Sequence, residues 1–221
     1  MKKIAFILIA LCVPALAGAQ LAMRDLWLSM PDSLCTCLDR NLRTELLDFV
    51  DMGVKAEVKN RMNGQSTMDT LTADYTRVRL SESSAIQLKL LPAQADSVVC
   101  MVRTFSAPAS ESFVSFFSTS WQPIASDFGL SGVGVMQGTD AEASALLDAF
   151  TERPDTMSEN RFQELKKLID PVMVSASLSP VHPEITFSLS IPVATAEEKQ
   201  QLRAILVQRK YKWEGGRFNK Y

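Results

Sequence analysis

Histidine is almost missing from this sequence. His182 is the only one, which excludes zinc centres built on two or three histidines and the paired histidines of a helical metalloprotease motif. A serine or cysteine triad would need it as the base. It lies between Pro180 and Pro183, however, where the chain is held extended in a surface turn. No Gly-x-Ser-x-Gly elbow, Walker loop or Asp-rich calcium loop occurs. Gly129, Gly132 and Gly134 reverse the dinucleotide-binding spacing, without the strand-to-helix context that motif requires. No catalytic, cofactor or metal residue is therefore assigned. Positive charge is also short: 23 Lys and Arg face 25 Asp and Glu, for a formal net charge of −2. That is the wrong sign for broad neutralisation of nucleic-acid phosphates. The densest basic cluster, Arg209-Lys210-Tyr211-Lys212, reads as a short solvated tail.

Residues 1–19 read MKKIAFILIALCVPALAGA. Two lysines precede a short apolar core, and Ala17-Gly18-Ala19 supplies the small residues of a cleavage site before Gln20. The pattern is that of a secretory signal peptide. Its apolar core would rise only about 15 Å as a helix, too little to span a bilayer. Leu11 stands before Cys12 where lipoprotein processing needs a small residue, which argues against a lipid anchor there. Losing Lys2 and Lys3 with the leader takes the formal charge from −2 to −4. No later run is long and apolar enough to cross a membrane, so no integral span is expected.

Past the leader the texture is that of a globular α+β chain, with 47% hydrophobic residues and no fibrous repeat. Thr36 and Asp39 resemble a capping box, and Leu38, Leu42, Leu46 and Phe49 recur at helical spacing, with Arg43 off that stripe. A helix over 37–52 is predicted, ended at Gly53. The period then changes to two. Strands are predicted around 56–59 and 66–72 about an Asn63-Gly64 type I′ turn, then over 75–80, 85–91, 97–105 and 113–121. Ile86, Leu88 and Leu90 alternate with Gln87 and Lys89, one face inward and one wet. Val98–Val102 is apolar on both faces, as in a strand covered on both sides. The strands form an antiparallel meander and not a βαβ alternation.

Four glycines between 129 and 138 mark a connection. Thr139 and Glu142 form a capping box for a helix reaching about Phe150, and a second helix is predicted over 159–169. Strands at 172–179 and 184–191 follow, the latter with Ile185, Phe187, Leu189 and Ile191 on one face. Thr195 and Glu198 cap a last helix to about Arg209, before a hairpin turning at Gly215-Gly216. The expected architecture is α+β: antiparallel sheets packed against several helices, in two sub-domains of similar size or one continuous domain. In segments it reads as a signal peptide over 1–19, an N-terminal half over 20–128, the connection over 129–138 and a C-terminal half over 139–221.

Two groups of residues could carry a function. Cys35, Cys37 and Cys100 remain after the leader, in a compartment that permits disulfides. Regular backbone makes a bridge across the single residue between Cys35 and Cys37 difficult. A bridge from either to Cys100 would leave one free thiol, and Cys37 in the first turn of its helix would favour the thiolate. The other group is aromatic. Phe113, Phe117 and Trp121 share one face of a regular strand and would form a binding surface if that face were uncovered, although such stripes usually belong to a core.

The stretch Trp27-Leu28-Ser29-Met30-Pro31, the run Ala85–Pro92, the run through Trp121 and the closing Tyr211-Lys212-Trp213 resemble a family of uncharacterised secreted proteins of Bacteroidales, a domain of unknown function. The resemblance spans nearly the whole mature chain and implies a Gram-negative envelope setting. It carries over no catalytic residue. The leading expectation is a non-enzymatic periplasmic or envelope-associated module that binds a protein or glycan partner. The alternative is an enzyme, either a carboxylate-based hydrolase or a thiol-dependent protein built on Cys35 and Cys37.

Overall fold

The computed structural model describes residues 22–93, 96–107, 109–133, 140–191 and 195–221. The leader with Cys12, the Thr139 cap, Gly134 and Gly138 lie outside the described residues.

The chain opens with helix α1 (Met23–Ser29), a single 3-10 turn (Asp32–Leu34) and helix α2 (Arg40–Asp51). α2 begins later than its leucine spacing predicts, because Asp39 and not Thr36 caps it: the Asp39 side chain accepts from the Leu42 N–H at 3.1 Å. Gly53 then ends it with φ +67°. Six antiparallel strands follow: β1 (Glu57–Lys59), β2 (Gln65–Leu71), β3 (Tyr75–Ser81), β4 (Ser84–Leu91), β5 (Val98–Ser106) and β6 (Ser110–Ser118). They pair in sequence order as one meander. The β1–β2 connection is not the two-residue turn expected at Asn63-Gly64. Lys59 pairs with Gln65, and the five residues between them are closed by buried Asn60, whose Oδ1 accepts from the N–H groups of Met62 and Gly64. A fixed amide side chain here performs the closure that a type I′ turn would leave to the backbone.

Both faces of this sheet are covered. On one face Met23, Leu26, Trp27 and Leu46 from the helices bury Ile86, Leu88 and Val99. The other face packs on a second antiparallel sheet, ordered β10-β9-β8-β7. Its strands are β7 (Met173–Leu178), β8 (Glu184–Ser190), β9 (Arg209–Glu214) and β10 (Arg217–Lys220). Helices α3 (Asp140–Ala149), α4 (Glu159–Lys167) and α5 (Ala196–Arg203) complete that half. Phe150, Leu165 and Leu202 from the helical segments join Cys100, Phe116, Phe187 and Phe218 in one core shared by the two sheets. The fold is α+β, two antiparallel sheets flanked by helices.

This packing changes three expectations. Gln87 and Lys89 do not face water: Gln87 Oε1 accepts from the Leu178 N–H at 3.0 Å, and Lys89 Nζ donates to the Pro180 carbonyl and pairs with Asp74 at 2.8 Å. Both polar side chains are buried with partners in place, Gln87 on the last residue of β7 and Lys89 on the turn after it and on Asp74. The Arg209–Lys212 cluster is no free tail either, since Arg209 to Lys212 pair with β8 and bury Tyr211. The last helix stops at Arg203, ahead of the predicted Arg209, leaving those residues to the strand. Its start agrees with the motif: Thr195 Oγ1 accepts from Glu198 N–H at 3.2 Å, and Glu198 Oε2 accepts from Thr195 N–H at 2.8 Å.

Among the described residues of the glycine-rich connection, Gly129 is the one whose residue type is fixed by contact. Gly129 has φ +89°, and a Cβ placed on it would meet the Phe218 carbonyl oxygen at 2.5 Å. The adjacent Phe128 carbonyl accepts from the Phe218 N–H at 2.7 Å. Phe128 and Gly129 are therefore laid directly against β10.

Candidate functional site

Between α1 and α2 the chain crosses one end of the six-stranded sheet, and this crossing carries both thiols. Arg43 holds it. The guanidinium, 1% exposed, donates to the carbonyls of Leu38 (2.9 Å) and Met30 (2.6 Å) and pairs with Asp32 at 2.9 Å. Its Nε is the one buried side-chain polar atom without a partner among the described residues. Arg43 was expected off the apolar stripe of α2, but it shares the buried face with Leu46 and Leu47, three and four residues on. That spacing was the signal for its burial.

Within the crossing, Leu38 N–H donates to the Cys35 carbonyl at 3.1 Å, closing a turn with Thr36 and Cys37 at its corners. Arg61 N–H donates to the Cys37 carbonyl at 3.0 Å and ties the turn to the β1–β2 connection. Regular backbone would keep the two sulfurs apart. This turn brings Cys35 Sγ and Cys37 Sγ to 3.9 Å. Cys37 lies before the Asp39 cap and outside α2, so the helix N-terminus does not act on it as expected. Its acidity has another source. A hydrogen bond from the Cys35 thiol draws Cys37 down from 9.0 to about 7, and the same bond, with burial, pushes Cys35 well up. The charge of Arg43 partly opposes the rise at Cys35. The contact between the sulfurs thus favours ionisation of Cys37 and retention of the proton on Cys35.

The pair lines a cavity of about 310 Å³. Leu34, Leu80 and Ala85 supply apolar wall, Met62 and Phe105 stand exposed at its mouth, and Arg103 lies along one side. Arg103 is half-buried and donates to the Leu34 carbonyl, yet no carboxylate lies within 4.0 Å of it among the described residues. Arg103 is thus a half-buried guanidinium on the cavity side, with a donor on the Leu34 carbonyl.

Residues 17–218 match the model of a family described as "Protein of unknown function (DUF3256)". The chain belongs to that family. No curated protein matches it. The same fold occurs in the solved "Structure of a domain of an uncharacterized protein from Porphyromonas gingivalis W83", at a TM-score of 0.67 and 21% identity, covering 90% of this chain and 98% of that one. That organism belongs to the Bacteroidales, the lineage implied by the sequence resemblance.

In the DUF3256 chain the remaining candidates are dispersed. Cys100 is wholly buried in the core between the sheets, on the opposite face from Cys35 and Cys37, and burial pushes its thiol far up. The aromatic stripe divides. β6 ends at Ser118, and Trp121 follows in a turn with φ +63°, folding back to 5.7 Å from Phe117. Both are buried under α1, with Trp121 Nε1 donating to Ser29 Oγ at 3.2 Å, so they present no open binding face. Phe113 is half-buried and stands edge-on to exposed Phe105 at 6.0 Å. His182 is exposed in the β7–β8 turn, whose Val181 and His182 N–H groups donate to Ser179 Oγ. Among the described residues no helix is long and apolar enough to cross a membrane.

Proposed function

We propose that the chain is an exported, non-enzymatic binding module of the bacterial envelope, and that its cavity accepts an apolar, acid-bearing segment of a partner protein. The observation that carries this reading is Arg103: a half-buried cation with no carboxylate within 4.0 Å among the described residues, on the side of an otherwise largely apolar cavity. An apolar segment fills such a wall, and its carboxylate pairs with the guanidinium. A protein segment fits better than a glycan, because Phe105 and Phe113 meet edge to face and offer no flat platform for a sugar ring.

Export rests on the leader pattern of residues 1–19. Protein purified from its native host should begin at Gln20 by intact mass. Retention of residues 1–19, or lipid on Cys12, would contradict it.

The cavity can be tested with 8-anilinonaphthalene-1-sulfonate, an apolar anion, in a fluorescence titration. Saturable binding of one dye is expected. Arg103→Gln keeps a donor for the Leu34 carbonyl but removes the charge, and should weaken binding about tenfold or more, the worth of a charge-assisted hydrogen bond. Non-saturating fluorescence, or equal affinity in a variant that melts like the wild type, would sink the reading.

A further inference from the structure

The two sulfurs at the cavity wall do not contribute to binding an apolar acid, and their arrangement suits another chemistry. They are 3.9 Å apart, held by a turn whose residues are fixed by Arg43 on one side and Arg61 on the other, and both line an opening of the molecule. Neither is spent in a disulfide. Burial alone would make both inert, as it does Cys100. Here the hydrogen bond between them divides the roles, with a sulfur that ionises readily beside one that keeps its proton.

We propose that Cys35 and Cys37 form an exchange-active dithiol whose substrate is a disulfide presented at the cavity mouth. The inference goes beyond the non-enzymatic reading by adding a thiol–disulfide activity, and rests on that reading only for the cavity being open to a partner. The thiolate of Cys37, its proton already lost to solvent, attacks one sulfur of the incoming disulfide. A Cys37–substrate S–S bond forms, the substrate's own S–S bond breaks, and the first leaving thiolate carries off the electron pair. Cys35 then gives up its proton to a departing thiolate and attacks Cys37 Sγ, closing the Cys35–Cys37 bond and expelling the second substrate thiol. The substrate disulfide is reduced to two thiols and the protein dithiol is oxidised to one bridge, so two electrons and two protons are accounted for. The sulfurs must approach by a further 2 Å or so to reach bonding distance. A bridge over one intervening residue departs from ordinary disulfide geometry, which makes it easy to reduce and hence reversible.

The probe is glutathione disulfide, added to the reduced, purified chain, with products read by mass spectrometry after alkylation and trypsin. The tryptic peptide Asp25–Arg40 contains both thiols, and Cys100 falls in another. Expected are loss of two hydrogens from Asp25–Arg40 in the wild type, one glutathione on Cys37 in Cys35→Ser, and little adduct in Cys37→Ser. The iodoacetamide rate of Cys35→Ala compared with wild type provides a second measurement on folded protein. In wild type the rate should rise with a midpoint near 7, and removing the Cys35 donor should move it upward. No bridge and no adduct on the native chain, or a wild-type midpoint at the value of a free thiol, would overturn the proposal. Dye binding lost with exchange intact would refute the binding reading alone, and exchange absent with dye binding intact would refute the dithiol alone.

Discussion

Phe187→Ala will lower the stability of the chain by about 3–5 kcal/mol, the range for removing a large aromatic side chain from a packed core. Phe187 is fully buried at the centre of the shared core and meets Tyr211 edge to face at 5.8 Å. It therefore touches two strands of its own sheet and lies in the cluster that includes Cys100 and Phe116 of the other. A cavity there cannot close by moving one element, because β8 is paired on both sides, with β7 and with β9. Ser188→Ala, at the next position on the other face, should change stability by less than about 1 kcal/mol, as for most changes away from a packed core. Urea midpoints of the two variants measure the difference. Equal midpoints would mean that β8 presents the wrong face to the core.

Arg43→Ala should cost about 2–6 kcal/mol through a different mechanism, the loss of a donor by two buried carbonyls at about 1–3 kcal/mol each. The substitution strips two buried carbonyls, Met30 and Leu38, of their charged donor and leaves Asp32 without its ion pair. Unpaired buried acceptors lose their solvation without compensation. Among the described residues Arg43 alone ties Met30, Asp32 and Leu38 to one group, so the thiol-bearing turn should loosen. The chemical readout is separate from the melt: with the Cys35–Cys37 hydrogen bond relaxed, the alkylation midpoint of Cys37 should climb from about 7 toward that of an ordinary cysteine. Arg43→Lys, which restores a charge but not the fork of donors, should recover part of the stability. An Arg43→Ala protein that unfolds at the wild-type urea concentration would show that the guanidinium does not hold the crossing.

Local patterns revealed the elements whose partners are near in sequence. The alternation of Ile185, Phe187 and Leu189 marks β8 because one residue in two faces the same core, and the Thr195–Glu198 box marks α5 because its two hydrogen bonds are made within four residues. The order of the meander was legible for the same reason, each strand pairing with the next. Long-range contact decided the rest. Gln87 and Lys89 alternate like residues facing solvent, and only the arrival of β7, about 90 positions later, buries them. The cavity was illegible because its wall comes from the crossing after α1, two hairpin connections and β5, none of which points to the others in the sequence. Cys35 and Cys37 were visible as thiols. Their pairing depended on a turn that Thr36 does not announce.

The core between the sheets draws in Tyr211, Trp213 and Phe218, and Gly129 of the glycine-rich connection is fixed by its contact with Phe218. Synthesis delivers the chain from its N-terminal side onward. The meander of β1–β6 can pair as it emerges, but its inner face, with Cys100, Val102 and Phe116, stays wet until residues beyond 210 arrive to help cover it. A chain interrupted before that point would carry an exposed apolar sheet face into whatever compartment received it. The arrival of β9 and β10, more than the formation of any earlier element, is the event that closes this core.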